Sequence, residues 1–183
     1  MISLLFFIIT AIWIAEFILY RDREFTEEET NEKRSYPFIF LVFASTIISA
    51  VLMKEWRIFY LENTLIQLIG LMLFAAGVFL RYWGIVHLRQ QFTRHVSVRI
   101  NDELVSSGPY RLLRHPLYTG LLLIIIGICL SLGNIVLAIV GGSAGAFTLI
   151  QRIRIEERML IKAYGEEYRS FAKKRYRLFP PFY

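Results

Sequence analysis

The sequence is poor in the residues on which most soluble enzymes build their chemistry. It holds one cysteine, Cys129, inside an apolar run, which excludes an intrachain disulfide framework and a cysteine-rich zinc site. Cys129 reads as a small hydrophobe. The three histidines, His87, His95 and His115, lack metal-ligand spacing, so no metal site is expected. No dinucleotide-binding Gly-x-Gly-x-x-Gly, phosphate-binding loop or His-Glu-x-x-His is present, and no serine nucleophile elbow is expected. Charge is also scarce: 20% of the 183 residues are Asp, Glu, Lys or Arg, against 56% hydrophobic. With a mean hydropathy of +0.49, that balance excludes an ordinary soluble domain and fits an integral membrane protein.

Five hydrophobic stretches are readable: Ile2–Leu19, Tyr36–Met53, Leu65–Val86, Leu117–Leu132 and Ile135–Ile150. A span needs about 20 apolar residues, so the last two are slightly short. Only the Gly133-Asn134 turn signal separates them, which predicts a tight helical hairpin. The first stretch has no basic residue before it and no obvious small-residue cleavage site, so it reads as a span rather than a signal peptide. From Gln151 to Lys174 apolar residues recur at 3- and 4-residue spacing among charges. This predicts an amphipathic helix continuing from span five, interrupted at Gly165 and ended by Pro180-Pro181.

Orientation follows from loop charge. Eighteen lysines and arginines fall on one set of alternate sides and two on the other, with Arg81 left inside span three. The positive-inside rule places the N-terminus outside and the C-terminal tail in the cytoplasm. The net charge of +6 suits an anionic lipid surface, and no soluble basic domain exists to carry a nucleic acid. Other polar features have plain readings: Glu16 snorkels from near the end of span one, Gly141 and Gly145 form a close helix-packing face, and Glu27-Glu28-Glu29 is a solvated loop.

Chemistry is concentrated before span four, in Leu104-Val105-Ser106-Ser107-Gly108-Pro109-Tyr110 and Arg114-His115-Pro116-Leu117-Tyr118-Thr119-Gly120. So many ionisable groups at a membrane boundary are costly and point to function; a basic loop that only sets topology is the alternative. Pro116 suits a first helical turn, where its missing N–H removes no bond, and the free N–H groups there favour an anion. Tyr110 and Tyr118 offer hydroxyls and flat faces. The hairpin returns the chain to the same side, so Arg152 and Glu156, spaced i and i+4 on one helix face, can meet this segment. They are either an ordinary surface ion pair or a device for orienting a charged substrate.

These motifs, with Arg152-x-x-x-Glu156-Glu157 and Gly165-Glu166-Glu167-Tyr168, resemble the isoprenylcysteine carboxyl methyltransferase family over roughly residues 102–180. The resemblance implies an all-α polytopic membrane enzyme that uses S-adenosylmethionine without a Rossmann domain. It implies that the methyl donor is bound by Asp102, Glu103, Leu104, Val105, Tyr110, His115, Pro116, Leu117 and Tyr118. Arg152 and Glu156 match the positions that engage the methyl acceptor. Asp102 departs from the family, which commonly carries histidine there, and aspartate cannot copy imidazole donation.

A single domain is therefore expected over residues 1–183, with three spans and their loops in 1–101 and the catalytic core in 102–183. The leading function is O-methylation of a lipophilic carboxyl group, such as that of an isoprenylcysteine, at the cytoplasmic face of the cell membrane. Phospholipid or amine N-methylation is the second reading. A sterol-reductase-like oxidoreductase and a non-enzymatic membrane scaffold are the others. The apolar spans make the site reachable from lipid without identifying the acceptor.

Overall fold

The computed structural model describes residues 2–20, 35–92 and 104–180, and within them the chain is helical. Glu27-Glu28-Glu29, His95, Asp102, Glu103 and Pro181 lie outside the described residues. Six helices follow in order: α1 (Ile2–Leu19), α2 (Ser35–Glu55), α3 (Thr64–Leu88), α4 (Pro116–Ser131), α5 (Ile135–Tyr164) and α6 (Glu166–Lys173). Among the described residues, four helices are long and apolar enough to cross a bilayer, namely α1, α2 from Pro37, α3 and α5. The fourth stretch forms α4, whose 16 residues span about 24 Å at 1.5 Å per residue, less than a hydrocarbon core of about 30 Å.

Local signals set the boundaries. Asn63 caps α3 by accepting from Ile66 N at 3.1 Å, and Asn134 caps α5 by accepting from Leu137 N at 2.8 Å. Gly133 turns the α4–α5 hairpin with φ +78, a conformation that only glycine adopts cheaply. The helix after span five runs unbroken through Gln151 to Tyr164, stops at Gly165 and resumes as α6, as the spacing predicts.

The most extensive helix pair is α3 with α4, and glycines seven residues apart make it possible. A Cβ on Gly77 would lie 2.6 Å from Gly120 O, and one on Gly120 would lie 2.8 Å from Gly77 O. Gly70 and Gly127 meet the facing backbone in the same way, at Ser131 and Phe74. On the other side Gly141 and Gly145 admit Thr46 and Phe43 of α2, so the expected packing face exists. Gly141-Gly142-Ser143-Ala144-Gly145 also has the Gly-x-Ser-x-Gly spacing of a nucleophile elbow, but it lies inside α5 with Ser143 exposed. No strand-to-helix turn is there to activate that serine.

Two apolar clusters fill the bundle, one around Phe74, Ile124 and Ile128 and one around Phe43, Ile125, Leu149 and Leu178. Leu4, Phe7, Phe40, Leu41, Ile139 and Phe147 point outward, as lipid-facing positions do. Glu16 does not snorkel. It is fully buried and paired with Arg81 of α3, because the partner stands directly opposite on the neighbouring helix.

After α6 the chain folds back on the motif segment. Tyr176 N donates to Leu112 O at 3.0 Å, Arg114 N to Tyr176 O at 2.8 Å and His115 N to Arg177 O at 3.2 Å. This parallel bridge ties the C-terminal strap to the start of α4 and so shapes the polar end of the bundle.

Candidate active site

The site is assembled from the first turn of α4, the extension of α5 beyond Ile150 and the strap. His115 precedes Pro116, which occupies the first position of α4, so the helix begins where the imidazole is buried at 5% exposure. Its ring stacks on that of Tyr118, with centroids 5.7 Å apart and planes 21° from parallel. One turn into α4, Tyr118 reaches across to α5. Its hydroxyl donates to Glu156 Oε2 at 2.7 Å and accepts from Arg152 Nε at 2.9 Å. The i, i+4 pair is thus linked through a tyrosine hydroxyl, and Arg152 is a buried group rather than part of a surface pair.

Glu157 faces the other side of His115, because successive residues of a helix project about 100° apart. Arg114 Nη1 donates to its Oε1 at 2.6 Å, and Arg177 donates from Nε at 3.0 Å and Nη2 at 2.8 Å to its Oε2. The imidazole lies between the two carboxylates, Nδ1 3.7 Å from Glu156 Oε1 and Nε2 3.6 Å from Glu157 Oε1. Burial pulls the His115 pKa down, but Glu156 and Glu157 outweigh it and hold the imidazole above its ordinary range. Its Nε2 is buried without a hydrogen bond.

Tyr110 is buried in the 3₁₀ turn Gly108–Arg111 and packs beneath α3, with its hydroxyl 3.5 Å from where a Gly84 Cβ would be. Burial and the nearby Glu156 charge push its phenol up. Gly108 has φ +55 and lies against His87, whose ring would stand 2.5 Å from a Cβ there. Leu104 and Val105 are half-buried just ahead of this turn. Pro116 is fully buried, and the Leu117 carbonyl accepts from Arg81 Nη1 at 3.3 Å.

Of the residues expected to serve the site, His115, Tyr118, Arg152 and Glu156 come together in one network, and Tyr110 stands close to it. A family profile for the isoprenylcysteine carboxyl methyltransferase (ICMT) family matches residues 68–162, just over half of the chain. The chain belongs to this methyltransferase family.

Its relatives differ in name. "Probable protein-S-isoprenylcysteine O-methyltransferase" of Oryza sativa subsp. indica is 31% identical over 121 residues, covering 62% of this chain and 60% of that protein. The cobalt-zinc-cadmium resistance protein CzcN of Cupriavidus metallidurans is 37% identical over 86 residues, covering 47% of this chain and 39% of that protein. The solved structure of the eukaryotic intramembrane Ras methyltransferase ICMT matches with a TM-score of 0.70 at 21% identity, over 96% of this chain and 63% of that one. The fold is shared, and the chain spans about three fifths of the length of the rice relative.

Within this family fold, Arg114, Glu157 and Arg177 stand out as site residues that the sequence did not assign. The Glu156-Glu157 doublet was a visible signal for Glu157. Nothing local marked Arg177, whose role depends on the strap turning back.

Proposed function

We propose that this protein is a membrane methyltransferase that uses S-adenosylmethionine to O-methylate a lipophilic carboxylic acid, such as an isoprenylcysteine. The observation that carries this reading is the Arg152–Tyr118–Glu156 network beside His115, at the start of α4 where the polar end of the bundle meets its apolar spans. We also place that polar end in the cytoplasm, with the N-terminus outside, on the strength of the loop charges. The cell membrane is the expected location.

The residues present fit the methyl donor. His115 offers a buried Nε2 without a hydrogen-bond partner, the Tyr118 ring stacks on its imidazole, and Tyr110 would add a second aromatic ring. Leu104, Val105, Pro116 and Leu117 would add apolar contacts to the donor, and Asp102 and Glu103 are expected to add carboxylates that accept its hydrogen bonds. When bound, S-adenosylmethionine supplies a methyl group already activated on a sulfonium. The protein then has to position more than to move protons. Arg152 would hold the acceptor carboxylate, since its planar fork matches two oxygens. Tyr118 fixes the Arg152 Nε edge, and Glu156 fixes Tyr118. Burial of the site excludes water from the acceptor oxygen.

A second reading is N-methylation of an amine headgroup. The side chain of Glu156 is 25% exposed, which leaves this carboxylate able to take a proton from an acceptor amine. The deciding experiment is calorimetric titration of the detergent-purified protein with S-adenosylmethionine and, separately, with reduced nicotinamide cofactor. Donor binding that disappears in Tyr118→Ala and His115→Ala, followed by methyl transfer to a prenylcysteine but not to its amide, is the expected result. Transfer to phosphatidylethanolamine would favour the second reading. Nicotinamide binding would favour a reductase, and binding of neither ligand by folded protein would favour a scaffold.

A further inference from the structure

We propose that Glu16 and Arg81 act as a positioning pair that sets the first turn of α4, and with it Tyr118, for the methyl transfer proposed above, on which this inference rests. Glu16 is fully buried and Arg81 is 6% exposed. Arg81 Nε donates to Glu16 Oε2 at 2.8 Å, and Nη2 pairs with Oε1, so one edge of the guanidinium is taken by α1. The remaining nitrogen, Nη1, donates to Leu117 O at 3.3 Å. Gly120 makes room for this reach, since a Cβ there would lie 2.6 Å from Arg81 Cγ. A single side chain of α3 therefore joins α1 to the peptide unit directly before Tyr118.

Holding α1 against α3 does not require a charge pair. Tyr82 OH already donates to Ile12 O at 2.7 Å, and Phe6 and Trp13 pack on Phe74 with ring centroids 5.6 and 6.1 Å apart. Apolar replacements for a buried ion pair are often as stable or more so, and an intramembrane charge is usually retained for function. The pair adds what those contacts do not: a fixed N–H donor for the Leu117 carbonyl. Tyr118 starts from that point, and its hydroxyl must meet Arg152 and Glu156 together. A displacement of about 1 Å at a reacting centre can lower a rate by about 100-fold.

The test compares wild type with the double variant Glu16→Leu/Arg81→Met and with Arg81→Lys. Lysine keeps the charge but cannot bridge Glu16 and Leu117 with a planar fork. Three readouts are needed: thermal unfolding, kcat and KM for methyl transfer to a prenylcysteine, and amide exchange across Leu117–Thr119. We expect the double variant to unfold no earlier than wild type, with kcat lowered about 10- to 100-fold, acceptor KM little changed and faster exchange at Leu117–Thr119. Arg81→Lys should show the same kcat loss, so the inference remains testable if the double variant fails to fold. Wild-type kcat and wild-type exchange in either folded variant would overturn it. If wild type transfers no methyl group to any acceptor, the function proposed above falls, while the exchange data still decide whether the pair positions Tyr118.

Discussion

Tyr118 and Glu156 meet at 2.7 Å although 38 positions separate them, and the same hydroxyl accepts Arg152 Nε at 2.9 Å. One oxygen atom therefore joins the first turn of α4 to two successive turns of α5. Donor and acceptor sides of the proposed reaction share that atom, so neither can shift without the other.

Replacing Tyr118 with Phe removes the hydroxyl and keeps the ring stacked on His115. Arg152 and Glu156 each lose a partner, and a charged hydrogen bond contributes about 1.5–3 kcal/mol. We expect kcat/KM to fall about 10- to 100-fold, at 1.36 kcal/mol per tenfold. Donor affinity, measured by titration, should change less than turnover.

Glu157 is the electrostatic anchor of the strap, binding Arg114 and Arg177 and facing His115. Its side chain is 8% exposed. Removing one partner of a fully buried pair costs about 3–5 kcal/mol, and the cost here is smaller because the Arg177 side chain is 35% exposed. Glu157→Ala should therefore lower the unfolding temperature clearly, and Arg177→Ala less so, since Arg114 still pairs with the carboxylate. Equal loss in the two variants would count against Glu157 as the shared anchor.

Much of this arrangement was legible locally. Gly133-Asn134 marked the hairpin, His115-Pro116 marked the start of α4, and Gly165 marked the break between α5 and α6, because turns and caps depend on neighbouring residues. The spacing of Arg152 and Glu156 gave a common face but not the tyrosine between them. Glu16 was misread as snorkelling because the outcome depended on Arg81, 65 residues away. The glycines at 70, 77 and 84 and at 120 and 127 carried a seven-residue signal for the α3–α4 seam that the hairpin pattern overshadowed. The strap was not readable: its bridge to Leu113 uses backbone groups, which any sequence supplies.

That seam sets a graded expectation for glycine substitutions. A methyl at Gly120 would meet the Gly77 carbonyl and the Arg81 stem, while one at Gly142 would meet only the Ile126 side chain, at 2.9 Å. Overpacking a tight core costs about 1–3 kcal/mol, and backbone yields less readily than a side chain. Gly120→Ala should lower both folded yield in detergent and unfolding temperature. Gly142→Ala should be close to wild type.

The buried imidazole gives a pH dependence of definite sign. His115 has a folded pKa raised above its unfolded value of about 6.5. Its charged form therefore stabilises the fold fully below about pH 6.5, and that contribution is lost as pH rises through the raised folded value. Unfolding temperature followed from about pH 6 to pH 9 should decline, and His115→Gln should flatten the decline. A wild-type profile no steeper than the variant's would show that the imidazole is neutral between the two carboxylates.

Glu156 separates the two methylation readings. A carboxylate acceptor arrives without a proton to lose, so Glu156 acts by holding Tyr118 and facing His115 rather than by taking a proton, and Glu156→Gln keeps an oxygen for the Tyr118 hydrogen bond. Turnover should then fall by about 10-fold or less, the scale of one weakened hydrogen bond. An amine acceptor must be deprotonated, and glutamine cannot take that proton. In that case Glu156→Gln should abolish transfer to an amine at neutral pH and restore part of it at alkaline pH, where free amine accumulates. Assaying one Glu156→Gln preparation with a prenylcysteine and with phosphatidylethanolamine across pH therefore distinguishes a residue that orients from one that carries a proton.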